Sequence, residues 1–144
     1  MSTDVLAVHP EDPIGEVVEL FVEKGVASAV VVDAQNKLQG IITDGDIMAA
    51  IRQRRPIYVD LFNSVFVLED TGDLTNKVQS LAGRPVKEIM TRRIITAADD
   101  ASITEIAGLM TDRKIKQVPI VREGKLLGVV RRNDIVRAVA RKSP

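Results

Sequence analysis

The sequence predicts a mixed α/β (α+β) fold made of two β-α-β-β-α repeats packed sheet to sheet, and three observations predict it. First, the chain matches itself. An offset of 89 carries Ile14, Glu16 and Leu20 onto Ile103, Glu105 and Leu109, and an offset of 88 carries Lys37, Leu38, Gly40, Asp46, Ile47 and Ala50 onto Lys125, Leu126, Gly128, Asp134, Ile135 and Ala138. Second, the one-residue slip falls where one copy reads Asp33-Ala34-Gln35-Asn36 and the other Arg122-Glu123-Gly124. A hairpin loop tolerates such a change at least cost. Third, each copy runs through the same succession of hydrophobic periods, from strand to helix to two strands to helix. A unit of this kind has one apolar sheet face that it cannot bury alone, so the two copies should pack sheet to sheet.

Each copy opens on a short β-branched stretch, Val5–Val8 or Ile94–Thr96, followed by a turn-rich segment, His9-Pro10-Glu11-Asp12-Pro13 or Ala97 to Ser102. A helix comes next. Ile14, Val17, Val18, Phe21 and Val22 share one face at a period of 3.6, and Ile103, Ile106, Ala107 and Met110 repeat the pattern. Asp12 before Pro13 reads as an N-cap with proline in the first turn, and Ser102 with Glu105 as a capping box. Two hairpin strands follow, Ala29–Val32 with Leu38–Ile42 and Val118–Val121 with Leu126–Val130, and a second helix begins near Asp46 or Asp134. The connector is the least regular part, with an extended piece expected at Ile57–Leu68 and a short helix near Leu74–Leu81, before Val86–Met90 leads into the second copy. These limits give a first domain at residues 1–52, a connector at 53–85 and a second domain at 86–144.

Composition removes several classes of function. Twenty basic and twenty acidic residues cancel, which argues against nucleic acid or an anionic membrane as partner. One tyrosine, three phenylalanines and no tryptophan leave no stacking platform for single strands. The absence of cysteine excludes disulfides and thiolate metal sites. The start shows no signal peptide, and the longest aliphatic stretches, such as Ala29–Val32, are far too short to span a bilayer. A soluble, cytoplasmic protein is the expectation. No glycine-rich phosphate loop, nucleophile with a base, or cluster of metal ligands is present, so neither an enzyme nor a required cofactor is expected. His9, the single histidine, reads as a surface loop residue. Arg52-Gln53-Arg54-Arg55 reads as solvated surface at a helix end, and Tyr58, Phe62, Val65, Phe66 and Val67 as core or interface.

Two stretches carry a family resemblance. Gly40-Ile41-Ile42-Thr43-Asp44-Gly45-Asp46 is similar to the signature of cystathionine-β-synthase (CBS) domains, Gly-apolar-apolar-Thr/Ser-x-x-Asp, and Gly128-Val129-Val130-Arg131-Arg132-Asn133-Asp134 departs from it at Arg131 alone. Val118-Pro119-Ile120-Val121 resembles the family's apolar-Pro-apolar-Val strand, and Val86 to Thr91 its usual lead-in. The resemblance implies a tandem CBS pair, or Bateman module, with pseudo-twofold symmetry and clefts between the domains. It also implies an adenosyl ligand such as AMP, ADP, ATP or S-adenosylmethionine, assembly as a homodimer, and regulation of an enzyme or transporter.

The residues give this a chemical basis. A carboxylate at the end of a strand, Asp46 or Asp134, can accept hydrogen bonds from both hydroxyls of a ribose. Helix N-terminal amides beside it favour a phosphate, to which Thr43 adds a hydroxyl and Arg131 a cation. Backbone groups around Ser28-Ala29 and Gln117-Val118-Pro119 can meet the edge of an adenine, and the resemblance adds Thr96 to the set. In the first copy Val30 stands where the second has Pro119, and Asp44 would repel a phosphate beside Thr43, so the site around Asp134 is the better one for an anionic nucleotide. The competing reading of both carboxylates is structural, as caps of the second helices. The alternative function is a dimerisation or protein-interaction module of the same fold without a small-molecule ligand.

Overall fold

The computed structural model describes residues 5–52, 57–61, 64–68 and 79–142. In order, the elements are β1 (Ala7–Val8), α1 (Ile14–Lys24), β2 (Ser28–Val32), β3 (Leu38–Thr43), α2 (Asp44–Arg52), β4 (Ile57–Leu61), β5 (Ser64–Leu68), β6 (Ala97–Ala98), α3 (Ile103–Arg113), β7 (Gln117–Arg122), β8 (Lys125–Arg131) and α4 (Arg132–Lys142). A 3₁₀ turn at Val86–Glu88 precedes β6, and residues 79–82 are helical. Both repeats thus have the expected β-α-β-β-α order, and they form two three-stranded sheets, β1-β2-β3 and β6-β7-β8. In each, the short first strand lies parallel to the second, with Ala7 and Val8 opposite Val30 and Val31, and Ala97 and Ala98 opposite Ile120 and Val121. The intervening helix makes this parallel pairing possible.

Several boundaries differ from the sequence expectation. The first strand of the second repeat lies at Ala97–Ala98 and not at Ile94–Thr96, because only the two alanines come level with partners on β7. Helix α1 is capped by Pro13, in an extended conformation with no side-chain cap, while Asp12 gives its carbonyl to the Val86 amide at 2.9 Å. Ser102 does cap α3, its hydroxyl accepting from the Glu105 amide at 3.1 Å. The second helices begin at Asp44 and Arg132, two residues ahead of the aspartates expected to open them. The extended piece of the connector is an antiparallel hairpin, paired from Ile57 with Leu68 to Leu61 with Ser64. Residues 53–55, Phe62 and the 74–78 part of the expected short helix lie outside the described residues, as do the side chains of Tyr58, Val65, Phe66 and Val67.

The chain divides into two compact units, one built from Met1–His9, Ala29–Ile41 and Thr91–Pro144, the other from Pro10–Ser28 and Ile42–Met90. Among the described residues, two core clusters lie in the first unit. One gathers Ile106 and Met110 of α3 with Val118, Ile120 and Val130 of the second sheet. The other joins the repeats: Val30 and Val32 of β2 pack with Val129 of β8, flanked by Leu38, Ile41 and Leu126. At the hairpin tips the Leu38 amide donates to the Gly124 carbonyl and the Leu126 amide to the Asn36 carbonyl, each at 3.0 Å. The Asn36 side-chain amide adds a bond to the Leu126 carbonyl at 2.8 Å. Asn36 holds a left-handed φ of 64°, which asparagine accepts more readily than most side chains. Burying roughly one valine side chain contributes about 1.5–3 kcal/mol, so this shared cluster outweighs the tip hydrogen bonds individually.

In the second unit, α1 docks on the end of the connector. The Ile14 amide donates to the Arg84 carbonyl at 2.9 Å and the Lys87 amide to the Pro10 carbonyl at 3.0 Å. Ile14, Val17 and Val86 are almost wholly buried. Gly15 fits closely here, since a β-carbon on it would stand 3.0 Å from the Ala82 β-carbon and the neighbour would have to give by a few tenths of an ångström.

Candidate functional site

In the second repeat, strand register gathers six of the expected site residues at one end of one sheet. Gln117 opens β7 opposite Arg131, which ends β8, and Val118 and Pro119 follow opposite Val130 and Val129. Thr96 immediately precedes β6, whose first residue pairs with Ile120. The Arg132 amide donates to the Lys116 carbonyl at 2.9 Å, which turns the chain from β8 directly into α4. Val118 and Pro119 are buried, Gln117, Arg131 and Asp134 are half-buried, and Thr96 is exposed. The edge therefore sets half-buried polar groups directly beside a closely packed apolar interior.

Asp134 is the third residue of α4. Its Oδ2 accepts from the Arg131 amide at 2.8 Å. The first repeat makes the same turn, with the Asp44 amide donating to the Ala27 carbonyl at 2.9 Å. There Thr43 ends β3, and Asp46 Oδ2 accepts from its amide at 2.9 Å and its hydroxyl at 3.2 Å. The Thr43 Oγ1 in turn accepts from the Asp46 amide at 3.1 Å. This is a reciprocal capping box. Both aspartates therefore cap their helices from inside the first turn, as the competing structural reading requires. The two differ in how far they are committed. Asp46 holds a threonine amide and hydroxyl, whereas Asp134 faces an arginine whose side chain brings no hydroxyl. Ser28, which opens β2, is half-buried, and Ala29 beside it is buried at 2% exposure.

Arg132 does not join this edge. It lines a groove of about 420 Å³ between α3 and α4, with Ala107, Met110, Thr111, Lys114, Ile135 and Val136. Sequence reasoning missed the groove. Its signal was present in the spacing of Ala107, Met110, Thr111 and Lys114, which puts all four on one helix face. His9 is exposed and sits with Nδ1 2.9 Å from the Val32 carbonyl oxygen. Among the described residues no group of three or more His, Asp or Glu side chains is placed to hold a metal ion. No helix among them is long and apolar enough to cross a membrane.

A paired α/β repeat with a cap-and-strand-end motif in each half defines a class, and comparison with known proteins places the chain in it. The CBS-domain family profile matches residues 1–53 and 86–141, and the chain belongs to that family as a tandem pair. It is 30% identical to the uncharacterized protein MJ1426 of Methanocaldococcus jannaschii, covering 93% of this chain and 85% of that one. It is also 30% identical to the chloroplastic CBS domain-containing protein CBSX2 of Arabidopsis thaliana, where it spans 57% of the relative's length. Among solved structures, CBSX2 in complex with AMP superposes with a TM-score of 0.72 at 25% identity, over 98% of this chain and 91% of that one. The CBS domain pair of protein MJ0100, in complex with 5-methylthioadenosine and S-adenosyl-L-methionine, gives a TM-score of 0.69 at 27% identity, over 99% and 94%.

Proposed function

We propose that this chain is a non-catalytic regulatory module that binds an adenosyl ligand at the strand-end edge of its second repeat. The observation that carries the reading is the convergence of Thr96, Gln117, Val118, Pro119, Arg131 and Asp134 there. The ribose hydroxyls fall to Asp134, whose carboxylate has acceptor capacity beyond the single cap bond it makes. The phosphate falls to Arg131, a cation able to grip it through two parallel hydrogen bonds. The adenine edge meets the backbone of Gln117 to Pro119. The complexes of CBSX2 with AMP and of the MJ0100 pair with S-adenosyl-L-methionine support this ligand class. AMP, ADP, ATP and S-adenosylmethionine are the candidates, and no further cofactor is needed. The equivalent edge of the first repeat, with Ser28, Ala29, Thr43 and Asp46, is the weaker binder because its carboxylate is already engaged by threonine. As a whole we read the protein as a cytoplasmic homodimer of domains 1–52 and 86–144 joined by 53–85, regulating an enzyme or transporter.

Calorimetry tests the site. Losing a carboxylate that accepts two hydroxyl hydrogen bonds costs roughly 2–3 kcal/mol, so Asp134→Ala should weaken AMP about 30- to 150-fold. Because Asp134 also caps α4, Asp134→Asn is the control that keeps a cap acceptor while losing the charge. Arg131→Ala should reduce affinity for AMP far more than for adenosine, which has no phosphate. Unchanged AMP binding in both variants, with loss in Asp46→Ala, would move the site to the first repeat. The capping geometry of both aspartates favours a second reading, an interaction module without ligand, and that reading prevails if none of the three substitutions alters binding of any adenosyl compound.

A further inference from the structure

The hairpin tips bring equivalent residues of the two repeats face to face. Lys37 and Lys125, which the offset of 88 carries onto each other, pair across an isolated antiparallel bridge. The bonds on either side run from the Leu38 amide to the Gly124 carbonyl and from the Leu126 amide to the Asn36 carbonyl, which makes this the non-hydrogen-bonded kind of pair. Such partners send their side chains to one face, with β-carbons only about 4.5–5.5 Å apart. Lys125 is also paired on its other side with Arg122, across the turn through Glu123 and Gly124. Arg122, Lys125 and Lys37 therefore stand in a row across three neighbouring segments.

Like charges set directly opposite each other work against pairing, and the surroundings do little to offset them. Both lysines are exposed. Among the described residues neither ammonium makes an ion pair or a side-chain hydrogen bond. The acids that flank the row are committed elsewhere. Asp99 holds Arg122 at 2.8 Å. Asp33 turns its carboxylate to the amides of Gln35 and Lys37, each at 2.9 Å, and to the Gln39 side chain at 3.2 Å. Glu123 lies within the turn at a left-handed φ of 52° and makes no ion pair among the described residues. The repulsion is held in place by the tip hydrogen bonds and by the cluster of Val30, Val32 and Val129.

Two unpaired cations forced together form the attracting half of an anion site, and their layout selects the anion. The row is linear and spans about two strand spacings, roughly 10 Å, which is more than one phosphate or sulfate covers. We propose that Lys37 and Lys125, with Arg122 at the end of the row, bind a linear chain of phosphoryl groups at the seam between the repeats. Each lysine brings a compact charge with three donors, and Arg122 keeps donors beyond its bond to Asp99. Because one lysine comes from each repeat, the bound chain ties the two hairpins together and offsets their repulsion. The site is separate from the strand-end edge, since Lys125 opens β8 and Arg131 closes it, roughly 20 Å apart along a strand of this length.

Calorimetry at low ionic strength tests the assignment, with tripolyphosphate and ATP as probes and sulfate as the control with a single tetrahedron. The parent chain should bind tripolyphosphate and take sulfate far more weakly. Lys37→Ala with Lys125→Ala should reduce the affinity on the order of 10-fold, as two exposed charge contacts of modest worth are lost together. Lys37→Arg with Lys125→Arg should keep it. Tripolyphosphate should raise the Tm of the parent chain and not that of the double-alanine variant. Without ligand that variant should melt no lower than the parent, because the opposed charges are gone, which also shows that it folds. A loss with both tripolyphosphate and ATP makes the free chain sufficient, and a loss with ATP alone assigns the chain to a nucleotide. If neither probe loses affinity in the double-alanine variant, or if sulfate binds as tightly as tripolyphosphate, the proposal is overturned. It is overturned too if tripolyphosphate binding disappears in Arg131→Ala, which would put the chain at the strand-end edge. Failure of AMP to bind at that edge overturns the adenosyl reading and leaves the seam site standing.

Discussion

Asp134 and Asp46 cap their helices from a strand end, and the proposed ribose contact would ask a second purpose of the same residue. In each repeat the aspartate reaches back to the amide of the last strand residue, Arg131 at 2.8 Å or Thr43 at 2.9 Å, and so fixes the start of a helix. The same carboxylate is thereby held rigidly at an open sheet edge, which is what recognition of a diol requires. The motif was legible in the sequence because its spacing is set by this cap. The number of partners was not legible, since it depends on Thr43 donating and accepting at once while Arg131 offers only its amide. The same limit applies to Asp12, where proline shifted the helix start by one residue and no propensity rule separates the two. Replacing the N-cap, as in Ser102→Ala, should lower stability by about 1 kcal/mol, measured by urea denaturation, because the Glu105 amide loses its acceptor.

At the scale of elements, the helices and the hairpin strands were legible because their periods are long enough to be unambiguous. The two-residue first strand of the second repeat was not, whereas Ala7–Val8 of the first lies within its expected stretch. Ile94, Ile95 and Thr96 have strong β propensity, yet pairing falls on Ala97 and Ala98, because register with Ile120 and Val121 decides the matter and propensity does not. The connector hairpin was read as a single extended piece because no Asn-Gly or Asp-Gly turn divides it between Leu61 and Ser64. Helix α1 adds a contact that no pattern revealed, its Gly15 lying against Ala82. Gly15→Leu should destabilise the protein by roughly 1–3 kcal/mol through overpacking, seen as a lower Tm, whereas Gly108→Ala, with open space around it, should not.

For the whole molecule, the expectation of sheets packed together is met in the unit that holds both second-strand hairpins. Val129 of the second repeat completes a core with Val30 and Val32 of the first. Val129→Ala should therefore cost about 2 kcal/mol and loosen the contact between repeats as well as its own sheet, which hydrogen exchange at the Val30 and Val32 amides would detect. Saturating adenosyl ligand should act in the opposite sense, raising stability by about 2.7 kcal/mol at a hundredfold excess over Kd. The packing partners of Val129 were beyond the reach of sequence reasoning, since nothing in a repeat states which of its apolar faces meets its twin.

The seam at the hairpin tips also has a consequence for synthesis. Asn36 is translated 90 residues before its partner Leu126, and Leu38 is similarly far ahead of Gly124. Until those residues leave the ribosome, Val30 and Val32 have no Val129 to cover them. At ordinary translation rates of ~5–20 residues per second, the interval between the two halves lasts several seconds. A nascent chain stalled before residue 120 should be cut readily by protease near the first hairpin, and one released after residue 140 should resist.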